Sequence, residues 1–69
     1  MAEVFKTNVK KINEAKKLVE ELHLYFPGSK INFDLQDCDR VLRIDGYSNI
    51  AADVIRTLQS NGFMCAELE

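Results

Sequence analysis

The sequence predicts a small α+β domain in which four strands and two helices alternate in the order βαββαβ. Two observations predict it: a central pair of segments in which apolar and polar residues alternate, and an amphipathic helical pattern on each side of that pair. Short apolar segments near both ends supply the first and last strands. A chain of 69 residues allows one domain with a single modest core, and we assign residues 1–69 to it.

The first strand and the first helix occupy the N-terminal third of the chain. Glu3–Thr7 is typical of a short strand, with Phe5 and Thr7 on one face. Apolar residues then recur every three or four positions, which defines one stripe of a helix. That stripe consists of Ile12, Ala15, Leu18, Val19, Leu22 and either Tyr25 or Phe26. Pro27 restricts the residue before it, so the helix is expected to end near Phe26.

The central hairpin spans residues 30–44 and has one apolar face. Its apolar positions are Ile31, Phe33, Leu35, Leu42 and Ile44. Between the two runs, Asp37–Arg40 favours a turn, because aspartate side chains accept hydrogen bonds from nearby backbone amides. A lone pair of strands is marginally stable, so the rest of the chain must cover this face and add strands.

A second helix is predicted after the hairpin, with Ser48 or Asn49 as its N-cap residue. Its apolar stripe consists of Ile50, Ala51, Val54, Ile55 and Leu58. Gly62 is expected to end this helix in the left-handed conformation, and Phe63 to pack back on its last turn. The final strand is predicted over Phe63–Leu68.

Two amphipathic helices can cover one face of a four-stranded antiparallel sheet and form a two-layer sandwich. With the strands in the spatial order 4-1-3-2, this is the ferredoxin-like arrangement, which the sequence predicts. The edge strands, Lys30–Gln36 and Phe63–Leu68, allow either a monomer or a homodimer, although Asn32 and Asp34 blunt one edge.

The charge is unevenly distributed, although the net charge is only −2. Residues 1–17 contain five lysines and two glutamates, whereas residues 18–69 contain four basic and nine acidic residues. This pattern is typical of a solvated helix face, and it would also steer an anionic partner. The sequence lacks a signal peptide, a membrane span and a disulfide framework, so we expect a cytoplasmic protein with no membrane association.

The chain resembles the heavy-metal-associated (HMA) domain family, which includes copper chaperones and the N-terminal modules of metal-transporting ATPases. The resemblance covers almost the whole chain. It rests on the length, the βαββαβ order, the stretch Ile31–Leu35 and the ending Leu58–Phe63, which is similar to the family's Leu-x-x-x-Gly-Phe/Tyr close.

The strongest feature of that family is Met-x-Cys-x-x-Cys between the first strand and the first helix, where two thiolates bind a soft ion such as Cu(I). With the first helix in register, Asn8 and Lys11 stand at the two Cys positions and Lys6 at the Met position. A register anchored on the first strand also places no Cys there. The resemblance therefore implies an HMA-like domain that has lost its metal-binding pair and has no cofactor.

The sequence contains one other set of metal-ligand types, which is Asp37, Cys38 and Asp39 in the hairpin turn. One thiolate and two carboxylates match no standard ligand set, so a plain turn is the favoured interpretation. In a βαββαβ topology this turn lies at the same end as the loop after the first strand and the loop after the second helix. We predict that end to be an interaction surface formed by Thr7, Asn8, Lys10, Lys11 and Asn61.

No catalytic constellation can be assembled from the remaining residues. His23 is the single histidine and has no partner in the pattern, and Cys65 is typical of a packing thiol. The exposed face of the third strand offers Val41, Arg43 and Asp45 in place of the aromatic rings with which such sheets bind RNA. We therefore predict neither an enzyme nor a nucleic-acid-binding protein.

The sequence thus predicts a small non-catalytic binding or interaction module of the HMA type, with an unknown protein or small ligand as its partner. Two alternatives remain open. One is a metal-binding or metal-transport protein that uses Cys38 in a non-standard ligand set. The other is a small-molecule-sensing domain of the ACT type, which shares this topology.

Overall fold

The computed structural model describes residues 2–68. Its elements are β1 (Ala2–Thr7), α1 (Ile12–Tyr25), β2 (Lys30–Asp34), β3 (Val41–Asp45), α2 (Ala51–Ser60) and β4 (Cys65–Glu67). The domain is α+β, with two helices and a four-stranded antiparallel sheet, which confirms that part of the prediction. The strands lie in the order β2-β3-β1-β4, so β1 and β3 are central and β2 and β4 are the edges.

The period of two along the central strands places apolar residues on one face of the sheet. Phe5 and Leu42 are fully buried, whereas Lys6 and Arg43 are exposed. The buried strand residues and the apolar stripes of both helices form a single core. Its most deeply buried side chains are Phe5, Val9, Leu18, Leu22, Leu42, Ile44, Val54 and Leu58. Each contributes about 1.5–3 kcal/mol through removal of apolar surface from water.

The apolar stripe of α1 differs from the prediction at its start, whereas at its end Phe26, one of the two predicted residues, is the buried one. Ile12 is 68% exposed and Tyr25 is 59% exposed, whereas Val9 and Phe26 are buried. The cause lies before the helix, where the Val9 N–H donates to the Thr7 hydroxyl at 3.2 Å and the chain turns. This turn directs Val9 into the core at the start of α1, so that Ile12 is left at the surface.

The predicted N-cap of α2 is wrong. The helix begins at Ala51 and is preceded by Ile50, which makes no side-chain capping hydrogen bond. Ile50 is buried in the core, and Asn49 adopts a left-handed backbone with φ of 59°, which asparagine tolerates better than most residues. The start of α2 is thus held in the core by Ile50 and has no side-chain cap.

The end of α2 follows the prediction. Gly62 is left-handed, with φ of 88°, and the Phe63 N–H donates to the Leu58 carbonyl at 3.0 Å. Phe63 packs against the core. Strand β4 spans Cys65–Glu67 and is therefore shorter than predicted at both ends.

Strand β2 is also shorter than predicted and ends at Asp34. The Asp34 carboxylate accepts hydrogen bonds from the N–H groups of Gln36 and Asp37, both at 3.2 Å, and these bonds turn the chain. Neither helix of residues 2–68 has the length and apolar character that a membrane span requires.

Candidate functional site

Three connections meet at the C-terminal end of β1: the loop 8–11, the turn 35–40 and the loop 61–64. Thr7 is buried there and holds the first two together. Its N–H donates to the Asp39 carbonyl at 3.0 Å, and its hydroxyl donates to the Arg40 carbonyl at 2.6 Å. Thr7 is therefore a structural residue of this end rather than a group available to a partner.

Asn8 joins the third connection to the other two. Its side-chain carbonyl oxygen, Oδ1, accepts a hydrogen bond from the Met64 N–H at 2.8 Å, across 56 positions of sequence. The Met64 N–H would otherwise be free to extend β4. The Asn8 side chain thus holds the loop 8–11 and the loop 61–64 together.

The remaining residues of the predicted interaction surface lie in two places. Lys10 and Lys11 are exposed just before α1, and the Lys11 N–H donates to the Glu14 carboxylate at 3.4 Å. The Asn61 amide group donates instead to the Thr57 carbonyl at 2.8 Å and to the Glu21 carboxylate at 3.1 Å. Asn61 therefore links α2 to α1, whereas the lysines belong to the loop after β1.

Asp37, Cys38 and Asp39 form a compact group in the hairpin turn. One ligand atom from each lies within 4.8 Å of the others, and Cys38 is exposed. The Asp37 carboxylate accepts from the Asp39 N–H at 2.9 Å, and the Arg40 guanidinium donates to the Leu35 carbonyl. These bonds explain why the three residues lie close together, since they form a hydrogen-bonded turn.

The surroundings of Cys65 and His23 indicate structural roles for both residues. Burial raises the pKa of the Cys65 thiol to about 11, so the thiol is protonated at neutral pH and is a weak nucleophile. His23 Nε2 lies 3.1 Å from the Ser29 carbonyl. A carbonyl oxygen accepts only, so Nε2 is the donor, and this bond ties the end of α1 to the start of β2.

Sequence patterns did not predict the open groove between α1 and β2. The groove has a volume of about 670 Å³, and its apolar lining includes Ile12, Val19, Ile31, Phe33 and Leu35. Lys16 and Glu20 lie along its helix side. Both the helical and the strand periodicity assign these apolar residues to a core, so the pattern cannot show that a gap remains between the two elements.

Neither a protein-family model, nor a curated protein, nor a solved structure matches this chain. The fold and the site together define a small α+β domain with three connected loops at one end of its sheet and an apolar groove beside one edge.

Proposed function

We propose that this protein is a non-catalytic protein-binding module of the HMA type in which the metal-binding pair has been lost. The observation that supports the proposal is the hydrogen bond from the Met64 N–H to Asn8 Oδ1 at 2.8 Å. A neutral amide at this position, followed by the cationic side chain of Lys11, offers no soft ligand to a metal ion. The chain closes this loop with its own hydrogen bonds.

The proposal includes a ferredoxin-like two-layer arrangement. The strand order β2-β3-β1-β4 and the single core shared by the sheet and both helices support it. In this arrangement the loop 8–11 occupies the place where HMA domains carry their ligands.

The charges at this end suit a polar protein partner. Lys10 and Lys11 are exposed in the loop 8–11, and Asp37 is exposed in the turn that is bonded to the same end of β1. Separate patches of opposite charge favour one orientation of a complementary surface and raise the association rate. Thr7 and Asn8 hold these patches in place.

Native mass spectrometry of the reduced protein with and without Cu(I) and Zn(II), together with thermal unfolding, tests this proposal. We expect no stoichiometric adduct and no change in Tm, because a ligand that binds the native state would raise Tm. The double variant Asn8→Cys, Lys11→Cys restores the two thiols of the family pattern, and we expect it to bind one Cu(I). A competition-resistant adduct of the natural chain would contradict the loss of metal binding. Failure of the folded double variant to bind would contradict the relationship to HMA domains.

The compact group in the hairpin turn supports one alternative, a non-standard metal-binding protein. Its three ligand atoms within 4.8 Å of one another are the specific observation in its favour. This alternative requires an adduct that disappears in Cys38→Ser and persists in the matched variant Cys65→Ser. Its weakness is that the Asp37 carboxylate already accepts a backbone hydrogen bond within the turn.

A further inference from the structure

Strand β2 has an open side. Within residues 2–68 it pairs with β3 alone, and the apolar groove beside α1 runs along its length. Lys30, Asn32 and Asp34 alternate on the exposed face of the sheet, whereas Ile31 and Phe33 are half-buried on the face that packs against the core. An open edge of this kind is a template for pairing with another strand.

The hydrogen bonds of β1 determine which groups of β3 point toward β2. The Thr7 N–H donates to the Asp39 carbonyl, so the odd-numbered residues of β1 bond toward β3. The Val4 carbonyl accepts from the Leu68 N–H at 2.9 Å, so the even-numbered residues bond toward β4. Bonding direction alternates in this way along an antiparallel strand. The β3 residues opposite the odd-numbered ones are even-numbered and therefore bond toward β1.

The same alternation continues into β2. Arg43, an odd-numbered residue of β3, bonds toward β2, where Asn32 lies opposite it. Ile31 and Phe33 therefore direct their backbone N–H and C=O groups to the open edge. These are the groups that a further strand must match.

We propose that a second copy of this chain binds to the β2 edge in the antiparallel direction, with a two-fold axis at Asn32. In this register Ile31 of each copy lies opposite Phe33 of the other, and each such pair exchanges both backbone hydrogen bonds. Lys30 of each copy lies opposite Asp34 of the other on the exposed face. Opposite charges that face each other across two strands stabilise the pairing.

Other two-fold registers can also pair the outward backbone groups of β2, but the side chains that they place opposite each other are less complementary in charge. An axis at Ile31 places Lys30 opposite Asn32, and an axis at Phe33 places Lys30 opposite Gln36. Lys30 lies opposite Asp45 of its own chain on the β3 side, and only the axis at Asn32 also gives it a carboxylate of the other copy. A strand that carries Lys, Asn and Asp at alternate positions is therefore complementary to itself in this register.

The joined sheet also brings the two grooves together across the axis. Ile12 is 68% exposed in the single chain, and the groove leaves apolar surface of α1 and β2 in contact with water. Removal of that surface from water favours association. The isologous contact closes after two copies, whereas pairing of β2 with β4 of the next copy would continue without limit.

Disulfide crosslinking tests the proposed register. The background variant carries Cys38→Ser and Cys65→Ser, so that only an introduced cysteine can react. Residues opposite each other at a non-hydrogen-bonded antiparallel position have Cα atoms about 4.5 Å apart, a distance that a disulfide spans. We expect Asn32→Cys to form a linked dimer almost completely under mild oxidation. Arg43→Cys is the matched control, because it is exposed on the same face of the central strand β3 and should stay monomeric.

A second pair of variants tests whether Lys30 of one copy lies opposite Asp34 of the other. Lys30→Cys and Asp34→Cys should each crosslink poorly when alone, whereas a mixture of the two should give the mixed dimer. Sedimentation velocity of the natural chain should show a concentration-dependent dimer. Asn32→Lys places like charges opposite each other at the axis, and it should weaken dimerisation by about tenfold or more in Kd. Circular dichroism confirms that each variant is folded.

Three results would overturn the proposal. One is a natural chain that stays monomeric up to millimolar concentration. The second is equal crosslinking of Asn32→Cys and Arg43→Cys, and the third is a ladder of larger oligomers. The measurements use metal-free protein, so their failure leaves the proposed loss of metal binding intact, and a metal adduct leaves the dimer intact.

Discussion

Replacement of Thr7 by valine should destabilise the protein through two hydrogen bonds while the side chain keeps nearly the same shape. Thr7 is 7% exposed. Its hydroxyl donates to the Arg40 carbonyl at 2.6 Å and accepts from the Val9 N–H at 3.2 Å. In Thr7→Val both partners lose this bond at the point where two loops join β1.

The two lost bonds differ in cost. Val9 is fully buried, so its N–H is left without water, and an unsatisfied buried donor costs about 1–3 kcal/mol. Arg40 is half-buried, so water can reach its carbonyl and reduce that contribution. We therefore expect a loss of about 2 kcal/mol in the free energy of unfolding. For a domain of this size that corresponds to a fall in Tm of about 8–16 °C.

Thr57→Val is the matched control. Thr57 is 8% exposed, and its hydroxyl donates to the Asp53 carbonyl at 2.8 Å within the same helix. That carbonyl keeps its helical bond to the Thr57 N–H, so this variant should lose less than about 0.5 kcal/mol. Urea denaturation and thermal circular dichroism measure both variants. Equal losses in the two would refute the assignment of Thr7 as the residue that joins the loops.

Four further predictions follow from burial, backbone conformation and pKa. Gly62→Ala should lower the free energy of unfolding by about 1–2 kcal/mol, because alanine is strained at a φ of 88° even though open space surrounds the added methyl group. An unchanged midpoint in urea denaturation would contradict this. Leu22→Ala should lower the free energy of unfolding by about 2–5 kcal/mol and Leu24→Ala by close to nothing, because Leu22 is fully buried and Leu24 is 81% exposed. Similar urea midpoints for the two variants would contradict the placement of Leu22 in the core. Cys38 should react with a thiol reagent at pH 8 much faster than Cys65, whose pKa is raised by burial to about 11. Because the folded state binds the Cys65 proton more tightly than the unfolded state does, stability should also fall as pH rises from about 9 to 11, and Cys65→Ala should remove this slope.

The patterns that require one buried face were predictable from the sequence. Alternation in β2 and β3 and the three- to four-residue spacing in both helices predicted the α+β sheet because burial on one face dictates those spacings. The left-handed conformation of Gly62 was also predictable, since the need for such a residue at a helix end is local.

The exchange of Val9 for Ile12 in the core was not predictable from periodicity. Both positions fit an apolar stripe, and the choice depends on the hydroxyl of Thr7, which turns the chain before α1. The start of α2 is a similar case, because burial of Ile50 outweighs a polar cap. Tertiary contacts decide both positions, through a hydrogen bond at Val9 and through burial at Ile50, and a spacing rule does not include such contacts.

The site was predictable only in its location. The topology indicated that the loops after β1, β2 and α2 lie at one end, and the hydrogen bonds of Thr7 and Asn8 connect these loops. Which side chain contacts which loop depends on a pair separated by 56 positions, Asn8 and Met64. The open groove was missed for the opposite reason, because its residues satisfy the patterns of a closed core.

The attachment of three connections to the last residue of β1 and its neighbour has a consequence for motion. Thr7 and Asn8 hold the loop 8–11, the turn 35–40 and the loop 61–64, so none of the three can open widely while these bonds persist. In hydrogen exchange the amides of Val9 and Met64 should therefore behave as one cooperative unit with a common opening free energy. A partner protein that binds any one of these loops would also slow amide hydrogen exchange in the other two. The effect of binding would then extend across the whole end of the sheet.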